Sequence, residues 1–132
     1  MTSAPDQHLE IPLVTDLRRT QIVQYAGASG DFNPLHTDEV YAVQVAGYPS
    51  VFAHGMLTMG MTGRAVAEVV GEGELLTYGA RFIERVWPGD DLTAVIDVGF
   101  SADSAEYALA VRTVNQRGSD VLRGYAAWRT SR

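Results

Sequence analysis

The sequence predicts an α+β domain over residues 1–132, with an antiparallel sheet laid on one long apolar helix. Three observations carry this. Gly55 to Val70 is apolar nearly all round, which marks a buried helix rather than a surface one. Beyond Glu74 the apolar residues alternate with period two, the spacing of strands with one buried face. Short turn clusters separate these runs, and short turns join antiparallel neighbours. One helix covers a sheet of that width only if the sheet curls round it.

Taken in order, Glu10 to Val14 is a short extended segment whose Pro12 places it at a sheet edge or entry. Thr20 is a suitable N-cap for a helix over Gln21 to Ala28, with Ile22, Tyr25 and Ala26 on its buried face and Gly30 ending it. Asp31 to Thr37 reads as a loop, because Asn33 precedes Pro34 and is pushed out of the helical region. Asp38 can cap a second short helix to about Val43, and Gly47 to Ser50 is a turn-rich break.

The long helix carries Arg64 and Glu68 four residues apart, able to share one wet edge. Gly60 and Gly63 cost it helix propensity, about 1 kcal/mol each, so close approach of another backbone is expected there. Leu75 to Val86 is a long strand with an expected bulge at Gly79. Strands follow over Leu92 to Phe100, Tyr107 to Val111 and Leu122 to Trp128. Trp87-Pro88-Gly89-Asp90, Ser101 to Ser104 and Gln116 to Ser119 are the turns between them.

Composition sets outer limits. The chain has 132 residues with no Cys, which removes disulfides, thiolate catalysis and Cys-ligated zinc. The net charge of −6 argues against nucleic acid as a partner. Val51 to Val70 contains His54, Arg64 and Glu68 and makes a poor membrane span, so no membrane partner is expected. Met1 to Gln7 lacks the pattern of a signal peptide, and a cytoplasmic protein is expected.

Two segments can carry chemistry. Ser29-Gly30-Asp31-Phe32-Asn33-Pro34-Leu35-His36 puts a carboxylate and an imidazole five residues apart in one loop, the pairing that proton transfer to and from water requires. The plain structural alternative is that Asp31 caps a turn and His36 is a surface histidine. Phe52-Ala53-His54-Gly55-Met56 lies where the long helix begins, so the Gly55 N–H is an unpaired first-turn donor that could polarise a carbonyl. The alternative there is that His54 caps the helix and Gly55 relieves crowding. Asp31, His36 and His54 could also be read as a metal set, but no HxH or HxxxH spacing supports it. No Ser lies in a G-x-S-x-G elbow. Trp87, Trp128, Met56, Met59 and Met61 read as packing residues.

Tyr25-Ala26-Gly27-x-Ser29-Gly30-Asp31-x-Asn33-Pro34-Leu35-His36 and Ala53-His54-Gly55-Met56-Leu57-Thr58-Met59-Gly60 together resemble the MaoC-like (R)-specific enoyl-thioester hydratases and dehydratases of the hot-dog fold. The second run looks most like the catalytic dehydratase subunit of mycobacterial type II fatty acid synthesis. The resemblance implies a five-stranded antiparallel sheet wrapped round the Gly55–Val70 helix, and pairing into dimers. It implies reversible syn addition of water to trans-2-enoyl thioesters of CoA or acyl-carrier protein, giving (R)-3-hydroxyacyl thioesters. Asp31 and His36 match the catalytic pair that holds the water. Asn33 matches the residue that steadies the loop, and Gly55 the one whose N–H polarises the thioester carbonyl. His54, beside it, is grouped with the substrate-binding residues. No cofactor or metal is implied.

One position departs from the family. Some members support the catalytic loop with a Ser further along the helix; here the nearby residues are Gly60, Thr62 and Gly63, and Thr62 is the candidate substitute. Because the protein is acidic, attraction of a phosphate-bearing carrier must be local, with Arg81, Arg85, Arg123 and Arg129 as candidates. The alternatives are a subunit of a heteromeric dehydratase, a hot-dog thioesterase, or a non-catalytic acyl-thioester binding module.

Overall fold

A computed structural model describes residues 7–130. Strand β1 (Gln7–Val14) pairs only with β3 (Leu92–Ser101), so Pro12, which has no N–H to give, sits on a sheet edge as expected. Helix α1 (Arg19–Ser29) buries Ile22 and Ala26. It starts earlier than Thr20 implies: Arg18 occupies the N-cap position and its N–H donates to the Gln21 side chain at 2.9 Å. Gly30 closes α1 in the left-handed region (φ 77°), its N–H donating to the Ala26 carbonyl at 3.0 Å.

Residues Asp31 to Thr37 are not loop throughout. Pro34–Thr37 forms a single helical turn, α2. Pro34 does push Asn33 out of helical geometry, but it then supplies a preset first helical residue, while the Asn33 Oδ1 accepts the Leu35 N–H at 3.0 Å. Asp38 caps the next helical segment by accepting the Tyr41 N–H at 3.1 Å. That segment ends in a π turn over Tyr41–Val45.

Helix α3 runs Gly55–Val70, as expected. It is not buried all round. Thr58, Thr62, Ala65, Val66 and Val70 face the sheet, whereas Met56 is 55% exposed and Gly60, Arg64, Ala67 and Glu68 face outward. The sheet covers one side of the helix; Leu57, Met59 and Met61 pack partly buried against a second cluster around Leu17, Ile22 and Val86, and Met56 stays exposed among the described residues. Arg64 meets Glu68 at 3.4 Å on this wet edge and also donates to the Leu13 carbonyl. The expected close backbone approach at Gly60 does not occur, since a Cβ there would meet open space. At Gly63 the neighbour is the Tyr78 ring, 3.3 Å from a Cβ built on the glycine. Tyr78 donates its hydroxyl to the Met59 carbonyl at 2.7 Å, and burial pushes its pKa up to about 12.

The remaining strands are β2 (Glu74–Phe82), β4 (Glu106–Val114) and β5 (Asp120–Arg129), giving a five-stranded antiparallel sheet in the order β1-β3-β4-β5-β2. The meander is real for β3-β4-β5, but β2 pairs with β5 on the far side. Strand β2 stops at Phe82 because the chain must leave the sheet and cross back to β3. Its register slips between Leu75 and Thr77, not at Gly79. Gly79 instead lies under Tyr125, where a Cβ would come within 2.7 Å of the hydroxyl.

The core is the sheet face against α3, where Ala65, Val66 and Val70 pack on Ala94, Ile96, Val98, Leu109, Val111, Ala126 and Trp128. Trp128 stacks on Tyr107, a packing role as expected. The crossing segment after β2 is stitched to the start of α3: the Ala53 N–H donates to the Val86 carbonyl at 2.8 Å and the Ile83 N–H to the Val121 carbonyl at 2.9 Å. At the Trp87–Asp90 turn, buried Asp90 accepts the Trp87 N–H and the Gln116 amide, both at 2.9 Å. Among the described residues no helix is long and apolar enough to cross a membrane.

Candidate active site

The loop after α1 is built from short side chains folded back on their own backbone. The Ser29 hydroxyl accepts the Asp31 N–H at 3.2 Å, the Asp31 Oδ1 accepts the Asn33 N–H at 3.2 Å, and the Asn33 Oδ1 accepts the Leu35 N–H. Three successive turns of this kind fix an irregular chain without burying it. Asp31 therefore does cap a turn, but with one oxygen. The other has no hydrogen-bond partner among the described residues.

The second segment approaches from the start of α3. The His36 Nδ1 donates to the Phe52 carbonyl at 2.7 Å, and the His54 Nε2 donates to the Asp31 carbonyl at 3.0 Å. Carbonyl oxygens only accept, so each of these nitrogens carries the hydrogen. For His36 that leaves Nε2 with a lone pair. Burial, the largest cause, and the neighbouring His54 hold the His36 pKa below its ordinary 6.5, against the opposing pulls of the Phe52 carbonyl and Asp31. His36 is thus half-buried, neutral near pH 7 and able to accept a proton at Nε2.

The two imidazoles stack, with centroids 3.8 Å apart and planes inclined by 24°, and Tyr25 meets His54 edge-on at 4.8 Å. One ligand atom each of Asp31, His36 and His54 lie within 4.8 Å of one another. The residues of the metal reading therefore come together, with the two imidazoles stacked face to face rather than spread around a common point. Two of the four ring nitrogens are already donating to carbonyls.

His54 stands at the N-cap position of α3, yet its side chain caps nothing there and turns to Asp31 instead. Gly55 is the first residue of the helix, so its N–H has no intrahelical acceptor. A cavity of about 330 Å³ opens beside it, lined by Phe52, Thr58, Phe82 and Arg85 among others. The Phe82 ring covers Gly55 so closely that a Cβ there would lie 2.9 Å from Cε2. Phe52 joins the two halves of the site: its carbonyl holds His36 and its ring lines the cavity.

Thr62 does not support the loop. Its hydroxyl donates to the Thr58 carbonyl at 2.8 Å and lies 2.6 Å from the Thr113 hydroxyl, inside the core. The phase of the helix turns it toward β4. The structure places the Tyr25 and His54 rings beside the Asp31–His36 loop instead.

Of the four candidate arginines only Arg85 lines the cavity. Its guanidinium lies 4.7 Å from the Tyr48 ring centroid and 5.3 Å from that of Phe52, and it donates to the Tyr48 hydroxyl at 3.0 Å. Arg123 is occupied by Asp120 at 2.6 Å, and Arg81 faces it in the β2–β5 register. Arg129 pairs with Glu74 in register at the far end of the same strands. The roles of Phe52, Tyr48 and Phe82 were not apparent in the sequence. An aromatic residue two positions before His54 is their one local signal.

A family model described as a MaoC like domain matches residues 1–117. The chain belongs to the MaoC-like domain family. The sheet curled on α3 is the hot-dog fold of its structural neighbours, among them an R-hydratase from Pseudomonas aeruginosa solved in the unliganded form. That structure superposes with a TM-score of 0.81 at 26% identity, covering 98% of this chain and 82% of the other. The 3-hydroxyacyl-thioester dehydratase Y of Mycobacterium tuberculosis is 39% identical over 95 residues, which is 70% of this chain and 32% of that protein. The (R)-specific enoyl-CoA hydratase of Aeromonas caviae is 30% identical over 109 residues, covering 80% of this chain and 81% of the relative. This MaoC-like domain spans between 30% and 37% of the length of three curated relatives that it matches.

Proposed function

We propose that this MaoC-like domain is a cytoplasmic lyase that reversibly hydrates trans-2-enoyl thioesters to (R)-3-hydroxyacyl thioesters. The observation that carries the reading is the pairing of a neutral His36, its Nε2 lone pair free, with an Asp31 carboxylate held in the same loop. A water molecule between them donates one O–H to each. As its oxygen bonds to C3, one proton passes to His36 Nε2, while Nδ1–H stays on the Phe52 carbonyl and supports the resulting imidazolium. A proton from the pair is delivered to C2 on the same face of the double bond. The Gly55 N–H, backed by the α3 dipole, donates to the thioester oxygen and stabilises the enolate charge that develops there. Asn33 keeps the loop in shape.

The acyl chain enters the cavity beside Gly55. Arg85, at its wall, is the group proposed to meet the phosphates of CoA or of an acyl-carrier protein. Exposed Phe82 and Leu75 on the open β2 edge, with Met56 on α3, support pairing with a second hot-dog chain, identical or not. The reaction class is supported by the relatives it resembles, which are named as hydratases and as a dehydratase.

The test is a hydration assay on a short trans-2-enoyl-CoA with Asp31→Asn and His36→Ala beside wild type. Both variants are expected to lose about 10²- to 10⁴-fold in kcat/KM while melting like wild type. Variants as active as wild type would remove the pair from the mechanism.

A further inference from the structure

His54 is 2% exposed, and its two ring nitrogens have opposite surroundings. Nε2 carries the hydrogen and donates it to the Asp31 carbonyl. In the neutral ring Nδ1 then carries the lone pair, and it is buried with no hydrogen-bond partner among the described residues. A bare buried acceptor costs stability, so hydrogen bonding alone is not why a histidine suits this position. What the ring adds is a face. That face lies on His36 at 3.8 Å, while Tyr25 holds the ring from its edge. One side chain thus touches both members of the water-holding pair. The Phe52 carbonyl fixes one atom of the His36 ring but not its plane. His54 is not among the residues lining the cavity proposed for the acyl chain, although its neighbours Ala53 and Gly55 are.

We propose that His54 is a positioning residue rather than a substrate-binding one: its Nε2–H holds the Asp31 main chain and its ring face sets the plane of the His36 imidazole. The inference rests on the hydratase reading. The groups around His36 are Asp31 from the loop, His54 and Phe52 from the approach to α3, Tyr25 behind His54, and Tyr48 and Arg85 behind Phe52. Of these, His54 contributes to the surroundings that keep His36 neutral.

Two variants separate the two contacts. His54→Phe keeps a flat ring and loses the donor; His54→Gln keeps a donor at similar reach and loses the face. Each is expected to lower kcat by about 10- to 100-fold. KM is expected to stay within about threefold of wild type. In His54→Gln the His36 titration, followed by imidazole NMR, is expected to move up toward its ordinary value. Nitrogen shifts of the wild-type protein are expected to show His54 as the Nε2–H tautomer.

A rise in KM with kcat unchanged would make His54 a substrate-binding residue and overturn the proposal. So would an unchanged kcat together with an unchanged His36 titration. If neither variant folds, the wild-type tautomer still decides, because an Nδ1–H form could not hold the Asp31 carbonyl through Nε2. The NMR readouts need no substrate, so they separate failure of this inference from failure of the hydratase reading.

Discussion

The Ser29–His36 loop and the sheet–helix core are held by different forces. Ser29 to His36 is exposed for most of its length, with Phe32 at 68%, and is shaped by side chains bonded to nearby N–H groups. The core around Ile96, Leu109, Val111 and Ala126 is closed to solvent and is shaped by packing. In the loop each fixing bond is local, so a carboxylate and an imidazole can be aimed outward without entering the interior. In the core an atom matters through its volume. Changes in the first region are therefore expected to remove turnover and spare stability, and changes in the second to do the reverse.

The sharpest way to break this contrast is Ile96→Ala. Ile96 is fully buried, so the variant is expected to lose about 2–5 kcal/mol of stability in chemical denaturation. Its kcat/KM, measured where it is still folded, is expected to stay within about threefold of wild type. A matching loss of turnover would mean that the core and the site are one unit.

Gly55→Ala probes the seam between the regions. The added Cβ would press on the Phe82 ring at 2.9 Å and displace either the ring or the helix start. A fall of about 10- to 100-fold in kcat/KM is expected. Adding Phe82→Ala is expected to restore part of it. If the double variant is no better, the crowding is not the cause.

Thr62→Val tests the helix position once expected to support the loop. It would leave the buried Thr113 hydroxyl without its partner at 2.6 Å. A cost of about 1–3 kcal/mol is expected in stability, with turnover unchanged. Lost turnover at unchanged stability would return Thr62 to the site.

The smallest expected effect is in pH dependence. Burial and His54 hold His36 below 6.5, so the acid limb of kcat/KM is expected to have its midpoint under 6.5. The same shift means folding favours the neutral ring. Its contribution to stability is present above pH 6.5 and is lost as pH falls through the lower folded value. An acid limb at or above 6.5 would contradict the assigned surroundings of His36.

Much of this was legible in local pattern. The bounds of α3 follow from an apolar run between His54 and Gly71, and β3, β4 and β5 from strict alternation. The position of β2 beside β5 was not legible, because strand order depends on contacts far apart in the chain. Pro34 was misread for a different reason: it disfavours helix before itself and favours it after. Within the site, Asp31 and His36 stood out as a carboxylate and an imidazole five residues apart and Gly55 as a first-turn N–H donor, but spacing left the structural alternatives open and it was the family resemblance that singled them out for the proposed chemistry. The partners that orient them were not legible, since the Phe52 and Asp31 carbonyls are main-chain atoms that any residue would supply. Nor could spacing alone show that Thr62 turns into the core, because helix phase is set by what the sheet covers.

The most direct measurement is the identity of the product from a trans-2-enoyl-CoA of four to eight carbons, by loss of the conjugated absorbance, thiol titration and chiral separation. The expected result is the (R)-3-hydroxyacyl thioester with no free thiol. Free thiol would make the domain a thioesterase. A folded protein that leaves the substrate untouched, alone and with a second hot-dog chain, on CoA and on carrier-protein thioesters, would contradict the proposed chemistry and leave only the fold.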